Sequence, residues 1–113
     1  MVESLRAARV AGKAFRLHWL AGPTAGRTDE HIFHTNGTVS HAQVAPDRSP
    51  QYRTEKQYGA LEVGNDVVVI SYLGSSGCTL TVAMDFRSHR LQGFASNSKE
   101  WYPVQGRFDE ISK

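Results

Sequence analysis

Short runs in which apolar and polar residues alternate follow one another along nearly the whole chain after Gly12. The clearest run is 78–86, in which Leu80, Val82 and Met84 alternate with polar or small residues. A period of two is typical of β-strands that bury one face. The pattern therefore predicts eight strands, at 13–20, 28–35, 38–44, 55–63, 66–73, 78–86, 90–96 and 101–111.

The turn between the second and third predicted strands carries the strongest hairpin signal in the chain. Asn36 and Gly37 both tolerate the positive φ that a two-residue type I′ turn needs. A two-residue loop at this position would pair Ile32 with His41. His34 and His41 would then lie on the same face of the hairpin.

Short links between the runs favour an antiparallel meander, because a parallel crossover needs a dozen or more residues. Eight meander strands avoid exposed edges by closing into a barrel. The sequence thus predicts an all-β, antiparallel, up-and-down β-barrel of about eight strands in a single domain, 1–113. Residues 1–12 would form a short helical or irregular tail or cap, and 13–111 the barrel. The longest connection, 45–53, contains two prolines and is predicted to be irregular.

Composition excludes several classes of partner. Of the 113 residues, 40% are hydrophobic and 21% charged, and the 13 basic and 11 acidic residues are interleaved. Nucleic-acid-binding proteins usually carry a clustered basic stripe, so no nucleic-acid partner is expected. No stretch approaches the ~20 apolar residues of a membrane span. The first residues also lack the apolar core of a signal peptide, and we expect a cytoplasmic location without a membrane partner.

An acid–base site is one interpretation of the second and third strands. With the pairing given above, His34 and His41 would lie inside the barrel near Glu30, and these three residues are the candidate catalytic groups. The alternative orientation turns Ile32 outward and His31, Phe33 and Ser40 inward. Alternation does not decide between them, because both faces of this hairpin are mixed.

Large amphipathic side chains are the candidate ligand-binding residues, since each packs apolar area and offers one hydrogen bond. They are Trp19, Tyr58, Tyr72 and Trp101. No metal site is expected, because histidines three apart on a strand point to opposite faces. No nucleotide, dinucleotide or zinc motif is present, and no cofactor is expected. The single cysteine, Cys78, is expected to be a buried structural thiol.

The order of these features resembles the calycin-like small barrels, and more narrowly the family named after molybdenum cofactor biosynthesis protein F (MoaF-like). The resemblance spans about 12–108. Its residues are Gly12, Phe15, Trp19, Gly26 and Asn36-Gly37, then SYLGSSGCTLTVAMDF, LQGFASN and QGRF. It implies a lipocalin-like barrel that binds a small organic molecule. Phenolic acid decarboxylases share this type of barrel, but no catalytic residue transfers from them position by position.

Three functional hypotheses follow. The first is a barrel that binds a small hydrophobic or aromatic molecule, and the second is a cofactor-independent isomerase, cyclase or decarboxylase acting inside the barrel. The third is an interaction module with a filled core. Strand 66–73 is apolar on both faces, so its outer face would lie under the N-terminal segment or in a homodimer contact.

Overall fold

The computed structural model describes residues 7–111, which form strands joined by turns and loops. Nine strands occur in this part of the chain, and the neighbouring ones in the sheet pair antiparallel in the order β4-β3-β2-β1-β9-β8-β7-β6-β5. They are β1 (Lys13–Ala21), β2 (Thr28–Phe33), β3 (Val39–Gln43), β4 (Arg53–Glu55), β5 (Tyr58–Gly64), β6 (Val67–Leu73), β7 (Thr79–Asp85), β8 (Arg90–Ser96) and β9 (Trp101–Ile111). The last strand pairs with the first, as predicted.

The barrel is nearly closed, and its single break in strand pairing within residues 7–111 lies between β4 and β5. Hydrogen bonds between described residues link the two sides of this seam. The amide of Tyr58 donates to the Gly37 carbonyl oxygen over 2.9 Å, and the amide of Ser75 donates to Glu55 Oε1 over 2.9 Å. The predicted all-β antiparallel barrel is confirmed, with nearly complete closure.

The barrel has nine strands rather than about eight, because the short strand β4 forms where the predicted irregular connection meets the predicted strand 55–63. β4 extends the ladder of β3, with Ser40 opposite Thr54, whereas β5 pairs with β6. The chain therefore passes from one side of the seam to the other at Lys56 and Gln57. β4 and β5 are therefore the two edge strands on either side of the seam.

The expected N-terminal helix is not seen where the chain is described. Residues 7–12 form consecutive turns that end at Gly12, whose φ of 78° is in the left-handed region. The amide of Ala7 donates to the Ala60 carbonyl oxygen, and Val10 is fully buried in the core. The rest of that predicted segment, 1–6, lies outside the described residues. The described chain also contains no helix of the length and apolar character that a bilayer-spanning segment requires.

One end of the barrel, called the packed end, is filled with aromatic rings. Phe15 makes edge-to-face contacts with Phe33, Phe86 and Phe108 at ring-centroid distances of 5.8–6.0 Å. Phe15, Leu17 and Trp19 lie on the same face of β1, and all three side chains are buried. Trp19 lies toward the opposite end, called the open end, where polar side chains replace the aromatic core.

The pairing predicted for the β2–β3 hairpin is wrong by one residue. His31 lies opposite His41, and Ile32 lies opposite Ser40. The amide of His34 donates to the Thr38 carbonyl oxygen, and Gly37 has a φ of 96°. This is a three-residue loop with a left-handed glycine rather than a two-residue turn. The extra loop residue shifts the register and thereby changes which histidine shares a face with His41.

Candidate functional site

A cavity of about 420 Å³ occupies the open end of the barrel. Its mouth is bordered by the β1–β2, β6–β7 and β8–β9 loops. Strand residues supply aromatic, aliphatic and ionisable walls, and the loops supply small polar groups. The lining residues are Trp19, Pro23, Thr24, Arg27, Asp29, His31, His41, Tyr72, Ser76, Cys78, Leu80, Ala95, Ser96, Asn97, Tyr102 and Val104.

His31 and Tyr72 form a buried hydrogen-bonded pair in the wall of this cavity. His31 Nε2 lies 2.7 Å from the Tyr72 hydroxyl oxygen. The imidazole of His31 also stacks on that of His41, with ring centroids 5.6 Å apart and planes at 23°. The β2–β3 register brings the two histidines together, and β6 contributes the tyrosine from across the barrel. We call these two residues the His31–Tyr72 pair.

The His31 imidazole is neutral at physiological pH. His31 is only 3% exposed. Burial is the larger cause and the nearby His41 the smaller cause that lower the pKa of its imidazole to about 3. Nδ1 of His31 is buried without a hydrogen-bond partner. A buried polar atom left unpaired costs about 1–3 kcal/mol. The site therefore contains an atom whose hydrogen-bonding capacity is unused.

His41 is oriented by a buried carboxylate from the seam. Its Nε2 donates to Glu55 Oε2 over 2.8 Å, and Glu55 is 3% exposed. Burial raises the pKa of the Glu55 carboxyl, but the hydrogen bonds from His41 and the Ser75 amide outweigh it and hold this pKa below its ordinary value. Glu55 is thus an anion that fixes the ring of His41.

A second carboxylate lies on the same wall. Trp19 donates from its indole Nε1 to Asp29 Oδ2 over 2.8 Å, and Arg27 donates to Asp29 Oδ1 over 3.2 Å. Burial raises the pKa of Tyr72, and the carboxylates of Asp29 and Glu55 raise it further. The tyrosine hydroxyl therefore keeps its proton throughout the physiological range.

Three residues singled out from the sequence line the cavity: Trp19, His41 and Tyr72. Trp19 lies on the inner face of β1, His41 on that of β3 and Tyr72 on that of β6. Tyr58 is buried in the core instead, where its ring packs against Phe33 and its hydroxyl donates to the His34 carbonyl oxygen over 3.0 Å.

The other candidates lie away from the cavity. Glu30 is buried on the outer face of β2, where Arg16 and Tyr52 donate to its carboxylate. His34 lies at the β2–β3 turn and bonds the outward-facing Ser40. The expected interior group of His34, His41 and Glu30 is therefore wrong, because the register turns Glu30 and Ser40 outward while His41 faces the cavity.

Two further expectations concern Trp101 and Cys78. Trp101 is 65% exposed and packs against Phe94 on the outside of the barrel. Cys78 is exposed and borders the cavity, so the expectation of a buried thiol is wrong. Cys78 precedes β7 and belongs to the β6–β7 loop, which lifts it out of the apolar face of that strand.

Sequence reasoning missed Asp29 and Glu55 as site residues and left His31 as an alternative. A carboxylate within a predicted strand must find a partner if it points inward, but the sequence did not show which carboxylates do so. Among residues 7–111, no group of three or more histidine, cysteine or acidic side chains is arranged to hold a metal ion.

Comparison with known proteins supports the fold. No family model and no curated protein matches the chain. A crystal structure from Burkholderia vietnamiensis, described as that of a candidate beta-lactamase, is similar with a TM-score of 0.74. The likeness covers 94% of this chain and 99% of the other at 17% sequence identity. At this identity the similarity concerns the all-β barrel alone, and it does not single out the MoaF-like family.

Proposed function

We propose that this protein binds a small hydrophobic or aromatic molecule inside the open end of its barrel. The observation that carries the proposal is the cavity of about 420 Å³. Sites for small molecules usually enclose ~300–1,000 Å³ and combine apolar walls with a few placed polar groups. An unfilled open end favours a ligand over an interaction module with a filled core.

The composition of the cavity wall suits such a ligand. Trp19 and Tyr72 present aromatic surface, while Leu80, Ala95 and Val104 add aliphatic surface. The polar groups are few and are held in place by hydrogen bonds, so they would orient a ligand without a large ordering cost. Rings at the packed end close the opposite side of the barrel.

The more specific predictions from the sequence, which concern the family, the cellular location and a homodimer, belong to this proposal. A MoaF-like or lipocalin-like barrel would use its lumen in this way, and a cytoplasmic location is part of the same interpretation. A homodimer also stays a prediction. Leu61 and Val63 are exposed on the outer face of β5, which is where a second copy would find apolar surface.

Catalysis without a cofactor is the second candidate function, and the His41–Glu55 pair favours it. A histidine held by a carboxylate beside a ligand cavity has the arrangement of a general base. Nδ1 of His41 makes no hydrogen bond to a described residue, so this atom is free to face a bound molecule. The test is whether a bound ligand is chemically converted. Conversion by the wild type that is lost in His41→Gln, while the variant still binds the ligand, would favour catalysis over simple binding.

A thermal-shift titration with ethylbenzene, acetophenone and indole tests the binding proposal. A molecule that binds only the folded protein raises its Tm with increasing concentration. We expect a rise with at least one of the three, and we expect Ala95→Phe, which places a phenyl ring in the cavity, to abolish it. Ala83→Phe is the matched control, because Ala83 faces outward on the adjacent strand and should leave the rise intact.

Two results would contradict the proposal. One is the absence of any rise in Tm with all three compounds. The other is a rise that survives Ala95→Phe, since binding would then take place outside the lumen.

A further inference from the structure

The His31–Tyr72 pair carries two protons that can be donated in hydrogen bonds, and only one of them is donated within the pair. A neutral imidazole carries one N–H and a protonated phenol carries one O–H, and a single hydrogen bond joins the two groups. One of the two protons lies in that bond. The other has no acceptor among residues 7–111, because Nδ1 of His31 is unpaired and the Tyr72 hydroxyl makes no second hydrogen bond there.

The position of the spare proton follows from the burial of His31 Nδ1. With the imidazole proton on Nδ1, an N–H donor would be buried without a partner, and such orphaned donors are rarer than under-used acceptors. With the proton on Nε2, His31 donates to the Tyr72 oxygen. The hydroxyl hydrogen of Tyr72, a residue that lines the cavity, is then available to a ligand.

Charges around the pair restrict the ligand further. The carboxylates of Asp29 and Glu55 act on Tyr72. The guanidinium Nη2 of Arg27 lies 3.2 Å from Asp29 Oδ1, and Nε2 of His41 lies 2.8 Å from Glu55 Oε2. An anionic group brought to the Tyr72 hydroxyl would share a poorly solvated site with these two carboxylates, and like charges repel there.

We propose that the ligand is an uncharged carbonyl compound whose oxygen accepts a hydrogen bond from the Tyr72 hydroxyl, while His31 positions that hydroxyl. The proposal rests on the proposed function, because it names the chemical class of molecule bound in the same cavity. An apolar or aromatic body fills the lumen, and the carbonyl group uses the spare proton. Aromatic ketones, esters and uncharged amides meet this description.

Three probes of similar shape separate the contributions of the carbonyl group, the apolar body and a negative charge to binding. Acetophenone carries the carbonyl group, ethylbenzene replaces it with a methylene group, and benzoate replaces the ketone with an anion. Dissociation constants are measured by calorimetry for the wild type, Tyr72→Phe and Tyr58→Phe. Tyr58 is the matched control, since it lies opposite Tyr72 in the β5–β6 register but donates to a backbone carbonyl in the core.

We expect Tyr72→Phe to weaken acetophenone about fivefold, which corresponds to the roughly 1 kcal/mol that a hydrogen bond contributes net, and to change ethylbenzene less than about twofold. Tyr58→Phe should leave the ratio of the two affinities unchanged. Benzoate should bind the wild type more weakly than acetophenone. In the unmodified protein, the carbonyl stretch of bound acetophenone should lie at a lower wavenumber than in hexane, which tests the hydrogen bond without any variant.

The outcomes distinguish this inference from the proposed function. If ethylbenzene binds in the lumen but Tyr72→Phe weakens both neutral probes equally, or if benzoate binds best, the carbonyl inference is overturned and the binding function stands. An unshifted carbonyl stretch also overturns it. If acetophenone and ethylbenzene do not bind but indole does, only the carbonyl inference falls; if indole does not bind either, both proposals fall together.

Discussion

The buried imidazole of His31 is neutral because burial, and then the neighbouring His41, lower its pKa to about 3. An unperturbed histidine titrates near 6.5. Neutrality decides what the residue can do in the cavity. It can hold the Tyr72 hydroxyl by a hydrogen bond, but it cannot supply a positive charge to a ligand.

The neutral state of His31 makes the fold sensitive to acid. Between pH 6.5 and about 3 the unfolded chain binds a proton at this residue and the folded chain does not, so stability falls as the pH is lowered through this window. The expected loss is about 1.4 kcal/mol per pH unit at most. Urea unfolding at pH 6.5, 5.5 and 4.5 measures it.

Substitution identifies His31 as the origin of that slope. His31→Gln cannot take up the proton and should reduce the dependence on pH over this range. His89→Asn removes a largely exposed histidine and should leave the dependence in place. The lowered pKa of Glu55 adds its own loss of stability only at lower pH, as that carboxylate is protonated. Equal slopes in wild type and His31→Gln would contradict the assignment.

Single residues differ in how far the sequence could place them. Trp19 lies in a strand with clear alternation, so its inward direction could be predicted, whereas the strand of Tyr72 is apolar on both faces and left that direction open. Asp29 and Glu30 are adjacent in the sequence. The polar and apolar residues around them do not show which of the two carboxylates points inward. Glu55 follows an irregular connection, so its strand had no defined direction before the structure was known.

At the scale of elements, the β2–β3 hairpin shows why the site could not be assembled from the sequence. Asn36 and Gly37 correctly indicated a turn, but loops of two and three residues both accept this dipeptide. A shift of one residue moves every side chain of a strand to the other face. That single difference puts His31, and not His34, beside His41.

Pairing of β7 with β8 also depends on one residue, Gly93. A Cβ atom placed on Gly93 would lie 2.0 Å from the Thr81 carbonyl oxygen and 2.6 Å from the Val82 Cα. These are backbone atoms, which cannot move aside as a flexible side chain can. Close approach of the two strands therefore requires glycine, as it often does where a barrel strand bends sharply.

Gly93→Ala should therefore destabilise the protein by at least ~2 kcal/mol, the usual cost of overpacking. Gly59→Ala is the matched control, because a Cβ at Gly59 would meet nothing within 4 Å. That control should change stability by no more than ~1 kcal/mol. Urea unfolding of both variants compares them, and equal stabilities would refute the steric explanation.

At the scale of the whole molecule, barrel closure and the candidate site share a residue. Glu55 accepts the Ser75 amide across the gap between β4 and β5, and it also orients His41 in the cavity wall. Pairing of the last strand with the first could be predicted from the meander. The position of the gap could not, since it depends on where the 44–52 connection returns the chain to β3.

The division into a packed end and an open end is the central claim about the molecule, because it leaves a lumen for a ligand. The two tryptophans report on it independently. Trp19 lines the cavity and donates its indole N–H to Asp29, whereas Trp101 is exposed on the outside of the barrel.

An NMR titration of ¹⁵N-labelled protein with acetophenone, followed at the two indole N–H signals, tests this claim most directly. The account predicts that the Trp19 signal shifts and saturates while the Trp101 signal stays in place. A Trp19 signal that does not move, or two signals that drift together without saturation, would contradict it.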